Sequence, residues 1–171
     1  MKFKVLILIL LTAVVVYFLV ISHNNSGLHV GQKAPTFSLP TQDHAIHLDQ
    51  LKGRVVLLNF WATWCPSCVR EIPSLNALYQ KMQNKDFTVL AVSLDEEAWP
   101  VVDAFQKKNP LEMTVLLDVR GDVASLYGTY QLPESYLIDK KGTIVQKYIG
   151  PQNWMDPKIL KEIDRYVQEN P

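Results

Sequence analysis

Cysteine is nearly absent from this chain: only Cys65 and Cys68 occur in 171 residues. Two cysteines exclude a disulfide-stapled scaffold and any all-cysteine metal cage. Histidine is scarce as well, and His23, His29, His44 and His47 all precede the cysteines by many residues. A zinc site at the cysteines therefore lacks its other ligands, so neither metal nor cofactor is expected. An excess of one charge is missing too, because 17 Lys and Arg balance 17 Asp and Glu. The basic residues come singly or in pairs, which leaves no electrostatic footprint for nucleic acid. Internal repeats and low-complexity tracts are also lacking, and the length suits one domain.

Charge disappears altogether from residues 5–21, VLILILLTAVVVYFLVI, where Thr12 is the one plainly polar side chain. At about 1.5 Å per residue such a segment spans roughly 26 Å, the low end of what a bilayer helix needs. Lys2 and Lys4 precede it, and no Lys or Arg follows until Lys33. By the positive-inside rule the N-terminus stays in the cytoplasm and the rest is exported. No A-x-A-like cleavage site follows and no cysteine is available for acylation, so the segment reads as a retained signal-anchor. The expected organisation is a membrane anchor over 1–21, a polar tether over 22–29 and one globular domain over 30–171. That domain is expected on the extracytoplasmic, or periplasmic, side of the cytoplasmic (inner) membrane, on a single transmembrane helix.

Within the domain, RVVLLNFWA (54–62) is a nearly unbroken apolar run, the pattern of a central strand covered on both faces. From Cys65 onward Val69, Ile72, Leu75, Leu78, Tyr79 and Met82 recur at helical spacing, with Pro73 expected to kink the helix. Residues 86–94 and 114–118 read as further strands, with a helix over 99–108 between them and a short one from 122 running into a loop. Strands over 135–139 and 143–149 flank the turn Lys140-Lys141-Gly142, and an amphipathic helix over 156–169 closes the chain. The order β-α-β-α-β followed by a hairpin predicts an α/β fold with a mixed central sheet and helices on both faces.

The chemistry lies in Trp64-Cys65-Pro66-Ser67-Cys68, where the first buried strand gives way to a helix. Residues three apart on a helix share a face, so the two thiols can close a disulfide with little backbone movement. So small a ring constrains the unfolded chain little, which suits a bond that is made and broken. Stabilising bridges, by contrast, join distant segments. Cys65 at the helix N-terminus is the expected nucleophile, because unpaired N–H groups and the helix dipole favour its thiolate. Cys68, one turn further in, is the expected resolving thiol.

LLNFWATWCPSC, Pro73 eight residues after Cys65, and QLPESYLID before the Lys-Lys-Gly turn resemble the thioredoxin superfamily. More narrowly they are similar to its membrane-anchored TlpA/ResA/DsbE group of thiol-disulfide oxidoreductases, as is the opening GQKAPTFSLP. The resemblance covers about residues 30–150 and implies a thioredoxin-like fold. It also implies a cis proline at Pro133 facing the active site, with Leu132 offering its backbone to an extended substrate. Trp64 reads as an exposed apolar contact beside Cys65, and Trp61 as core. Asn59 departs from the thioredoxin pattern, which has a buried Asp there; Glu134 and Glu96 are the candidates to supply the missing carboxylate.

The expected activity is reduction of protein disulfides, as in family members that reduce apocytochrome c during cytochrome c maturation. Its expected partners are protein dithiols and disulfides and a membrane-embedded electron donor. The alternatives are a thiol peroxidase-related redoxin, whose Pro and Thr/Ser ahead of the reactive cysteine are missing, and a non-catalytic thioredoxin-fold binding module, against which the intact cysteine pair counts. The topology is testable: protease added outside spheroplasts is expected to digest the domain. Recovery of a soluble form lacking its first twenty-odd residues would show the segment to be a cleaved signal.

Overall fold

The computed structural model describes residues 11–17 and 28–170. Residues 11–17 are helical, and the remainder of the segment read as an anchor lies outside the described residues. Among the described residues, no helix is long and apolar enough to cross a membrane. Leu28, read as tether, packs against the core and donates its N–H to the Tyr127 carbonyl at 3.3 Å.

A small antiparallel hairpin, β1 (Ser38–Pro40) with β2 (Ala45–His47), precedes a 3-10 turn over Leu48–Leu51. The main sheet follows: β3 (Val55–Trp61), α1 (Pro66–Met82), β4 (Phe87–Ser93), α2 (Trp99–Gln106) and β5 (Thr114–Leu117). α3 (Asp122–Tyr127), the hairpin of β6 (Glu134–Ile138) and β7 (Ile144–Ile149), and α4 (Pro157–Gln168) complete it. The strand order is β5-β4-β3-β6-β7. β3, β4 and β5 run parallel, whereas β6 runs antiparallel to β3 and to β7. This is the mixed sheet expected from the order of the elements.

β3 is buried along its whole length, and its alternating side chains enter two separate cores. Val55, Leu57 and Trp61 pack with Leu75, Leu78 and Met82 of α1, Val102 of α2 and Ile163 of α4. Val56, Leu58 and Phe60 pack on the other face with Phe37, Leu39, Leu48 and Tyr127. Each such side chain contributes about 1.5–3 kcal/mol relative to leaving it in water, which is why the run tolerates no polar break except Asn59. α1 starts on Pro66, whose missing N–H costs nothing in a first turn. The helix continues unbroken through Pro73, which gives up its bond to Val69 and lies on the exposed side. The β6–β7 turn needs the left-handed backbone of Gly142, at φ +76°, while Asp139 accepts the Lys141 and Thr143 N–H groups.

One charged pair lies inside the aromatic side of the core. Glu134 is fully buried, is ion-paired with Lys147 Nζ at 2.7 Å and accepts the Tyr136 hydroxyl. Burial by itself lowers the Lys147 pKa, but Glu134 and Tyr136 outweigh it and hold the ammonium above its ordinary 10.5. Stabilisation from this shift is therefore complete below pH 10.5 and is lost as pH rises through the higher folded value. Glu134→Ala strands the lysine without its counter-charge and is expected to cost about 3–5 kcal/mol in denaturant unfolding at pH 7. Replacing both residues with leucine is expected to recover most of that loss.

Candidate active site

β3 delivers the chain to Ala62, Thr63 and Trp64 before α1 begins, and a buried acid braces this connector from the side. Asp95 is fully buried just beyond β4, and its two oxygens accept the Thr63 N–H at 3.2 and 3.0 Å. It also accepts the Thr63 hydroxyl at 2.6 Å and the Ser93 hydroxyl at 2.7 Å. Glu96, the sequence candidate for proton transfer, is exposed instead. The chain turns after Ser93, with Leu94 N–H donating to the Trp61 carbonyl, and this turn aims residue 95 at the loop. Trp61 is buried against Phe105, whereas Trp64 is 65% exposed beside the cysteines.

Cys65 holds the N-cap position of α1 in extended backbone, and Cys68 lies one turn in. A disulfide joins them, with Cα atoms 5.3 Å apart. Cys65 Sγ accepts the Cys68 N–H at 3.2 Å, so the sulfur satisfies one of the donors a helix start leaves unpaired. The Ser67 hydroxyl lies 3.3 Å from the same sulfur. When the bond opens, these donors and the helix field all favour charge on Cys65. Cys68 is 1% exposed against 5% for Cys65, an order that suits an inner resolving thiol.

The Leu132–Pro133 bond is cis. Pro133 is buried and Leu132 half-buried; the Ser67 hydroxyl donates to the Leu132 carbonyl at 3.4 Å, which places that residue against the first turn of α1. Gly150 N–H donates to the Pro133 carbonyl at 2.9 Å and ties the segment to the end of β7. Cys65, Cys68, Leu132 and Pro133 thus meet at one end of the sheet.

Glu134 does not join them. In the β3–β6 register Asn59 faces Ser135 and Phe60 faces Glu134, and residues directly opposite across an antiparallel pair share a face. The Glu134 carboxylate therefore turns to the aromatic core, on the opposite side of the sheet from Asn59 and α1. A carboxylate does reach Asn59, and it comes from Glu71. Asn59 Nδ2 donates to Glu71 Oε1 at 2.8 Å and to Ser135 Oγ at 2.9 Å, while Gln152 N–H donates to Glu71 Oε2 at 3.0 Å. Burial, only partly offset by these donors, holds the Glu71 carboxyl above its ordinary pKa. The Trp154 indole N–H lies close enough to act on that charge but makes no hydrogen bond of good geometry.

Glu71 follows Cys68 by three residues, so the two share the buried face of α1. The sequence carried a signal for it: a glutamate in the core-facing series Cys68, Ile72, Leu75, Leu78. His29, His44 and His47 are exposed, and among the described residues no group of His, Cys, Asp or Glu is placed to hold a metal ion.

A mixed sheet that ends its central strand in a Cys-x-x-Cys helix start beside a cis proline defines a thioredoxin-fold thiol-disulfide oxidoreductase. The chain belongs to the AhpC/TSA family, whose profile matches residues 30–147. A thiol-disulfide oxidoreductase ResA of Bacillus cereus is 36% identical over 170 residues, covering 98% of this chain and 94% of that one. The thioredoxin-like protein YneN of Bacillus subtilis (strain 168) is 36% identical over 146 residues, covering 84% of this chain and 85% of its own. A Chlorobium tepidum structure assigned as the thiol:disulfide interchange protein DsbE superposes with a TM-score of 0.77 at 34% identity, over 82% of this chain and 99% of that one. StoA of Bacillus subtilis gives a TM-score of 0.65 at 29% identity, over 77% of this chain and 97% of that one.

The raised Glu71 pKa has a sign that can be measured. Folded Glu71 keeps its proton to higher pH than the unfolded chain, whose value is 4.5. Its contribution to stability is therefore complete below pH 4.5 and declines as pH rises through the folded value. Denaturant midpoints of wild type and Glu71→Gln from pH 4 to 8 are expected to show this decline in wild type only. A decline of equal slope in the glutamine variant would assign it to another group.

Proposed function

We propose that this protein reduces disulfides of exported proteins at the outer face of the cytoplasmic membrane, tethered there by residues 5–21. The observation that carries the reading is the setting of Cys65: its sulfur caps a helix, faces the Cys68 N–H and the Ser67 hydroxyl, and closes a ring too small to stabilise the fold. The exposed indole of Trp64, with the exposed Pro66 beyond Cys65, suits a macromolecular substrate rather than a small one. A cleft of about 710 Å³ over α4, lined by charged residues such as Lys158, Glu162 and Arg165, contains neither cysteine.

In the reducing direction the Cys65 thiolate attacks one sulfur of the substrate disulfide, expels the other as a thiolate that takes a proton from solvent, and forms a mixed disulfide. Cys68, losing its proton to the Glu71 carboxylate on the same helix face, then attacks Cys65 Sγ. The departing substrate sulfur takes up that proton, so the substrate leaves with two thiols and the protein holds its disulfide. Two cysteines store one electron pair, so another protein must return two electrons and two protons for each cycle. Anchoring supports a membrane-embedded dithiol as that donor. Apocytochrome c, whose cysteine pair must be reduced before haem attachment, is the substrate we favour, by resemblance to the ResA and DsbE relatives.

Two measurements test this. Cys68→Ser is expected to accumulate mixed disulfides with its partners, and Cys65→Ser to trap none; equal trapping would reverse the assigned roles. Equilibration of the full chain with glutathione buffers is expected to give a potential of about −200 mV or lower. A value above about −150 mV, with the pair found oxidised in growing cells, would make the protein an oxidant.

A further inference from the structure

We infer that the Ser67 hydroxyl is a one-proton switch that couples the redox state of Cys65 to the availability of the Leu132 carbonyl as a docking group for substrate backbone. The inference rests on the reading of Leu132 as the substrate-facing residue. Ser67 Oγ lies 3.3 Å from Cys65 Sγ and 3.4 Å from the Leu132 carbonyl oxygen, so it stands between the reacting sulfur and the residue ahead of the cis proline. A serine hydroxyl has a single proton to donate. It serves one of these acceptors at a time, and their relative strengths depend on the redox state.

In the disulfide form, Cys65 sulfur is uncharged and a weak acceptor, so the proton goes to the Leu132 carbonyl. That carbonyl is then satisfied, and a further donor gains little from it. Reduction by an external dithiol transfers two electrons and two protons, and the dithiol leaves as a disulfide. One proton remains on Cys68, and the other leaves Cys65 for solvent as its thiolate forms. A thiolate accepts a charge-assisted hydrogen bond, about twice as strong as a neutral one, so the hydroxyl turns to the sulfur. Leu132 is half-buried, and its carbonyl now lacks a partner. An unmet acceptor in such a place gains the most from a new donor, and an incoming peptide N–H supplies one.

The consequence is directional. The reduced protein offers both an activated sulfur and a free carbonyl, the combination that captures an oxidised substrate. Once the disulfide has re-formed, the hydroxyl returns to Leu132 and weakens the hold on the reduced product. Asn59, Glu71 and Asp95 take no part in this, since none of them shares a bond with Ser67.

The test uses the full chain as wild type, Ser67→Ala and Ser67→Thr, the last retaining a hydroxyl. In the reduced proteins, the pH midpoint for alkylation of Cys65 by iodoacetamide is expected to rise by about one unit in Ser67→Ala and to stay near wild type in Ser67→Thr. The ¹³C shift of the Leu132 carbonyl is expected to move on reduction by dithiothreitol in wild type and Ser67→Thr, and to stay fixed in Ser67→Ala. An unchanged alkylation midpoint in Ser67→Ala, or a carbonyl shift on reduction equal to that of wild type, would overturn the switch. The third probe is a redox-inert peptide, the Cys-x-x-Cys-His segment of an apocytochrome c with both cysteines replaced by serine. It is expected to bind the reduced wild type about threefold to tenfold tighter than the oxidised form, and both forms of Ser67→Ala equally. Absence of binding to either form would overturn the substrate reading alone, since the first two measurements decide the switch without a substrate.

Discussion

β3 is sealed from water on both faces, and the geometry of the dithiol depends on that constraint. A strand covered on one side can shift or fray, but here each side chain is committed to one core or the other. A slip of one residue would exchange the contents of both. The fixed strand gives Thr63 a fixed position, and Asp95 holds it there with bonds to its backbone and its hydroxyl. Only then does Cys65 arrive at the helix start with its sulfur turned to the Cys68 N–H. The order of dependence runs from packing, to a buried carboxylate, to a cap, to a reactive sulfur.

Acidity at the site is arranged across two elements. β3 contributes Asn59, an amide that cannot take a proton, and α1 contributes Glu71, which can. The amide serves the acid by donating to it and to Ser135 at once, which joins helix, central strand and β6 through one side chain. Burial works against this support and keeps the carboxyl inclined to hold its proton. A group with that inclination, one helical turn from the resolving thiol, is suited to proton exchange with it.

Much of this was legible in the sequence, for reasons tied to particular residues. The two-sided burial of β3 shows as an apolar run too long and too uniform for a surface strand. The pairing of Cys65 with Cys68 follows from helical spacing, and Pro66 marks where the helix begins. Glu134 and Glu96 misled because adjacency in sequence says nothing of direction. Along a strand successive side chains point to opposite faces, and the face of Glu134 depends on a register that only the paired strands define. Glu96 lies one residue past the acid that counts, a distinction made by a turn after β4. The burial of Glu71 shows in its place among Cys68, Ile72, Leu75 and Leu78, but its role does not, because its tertiary partners, the Gln152 backbone and Asn59, come from other elements.

The double burial of β3 also bears on how the molecule fluctuates. Amides in a strand enclosed on both sides, and bonded to neighbours on both edges, open to solvent only when the domain as a whole unfolds. Peripheral pieces such as the β1–β2 hairpin open far more often and at lower cost. Because the cysteine loop hangs from the slow strand and not from the fast periphery, its geometry outlasts these partial openings. A protein working outside the cytoplasm, as proposed for this one, meets proteases and changing salt, and it can loosen at its margins and still present the same pair of sulfurs.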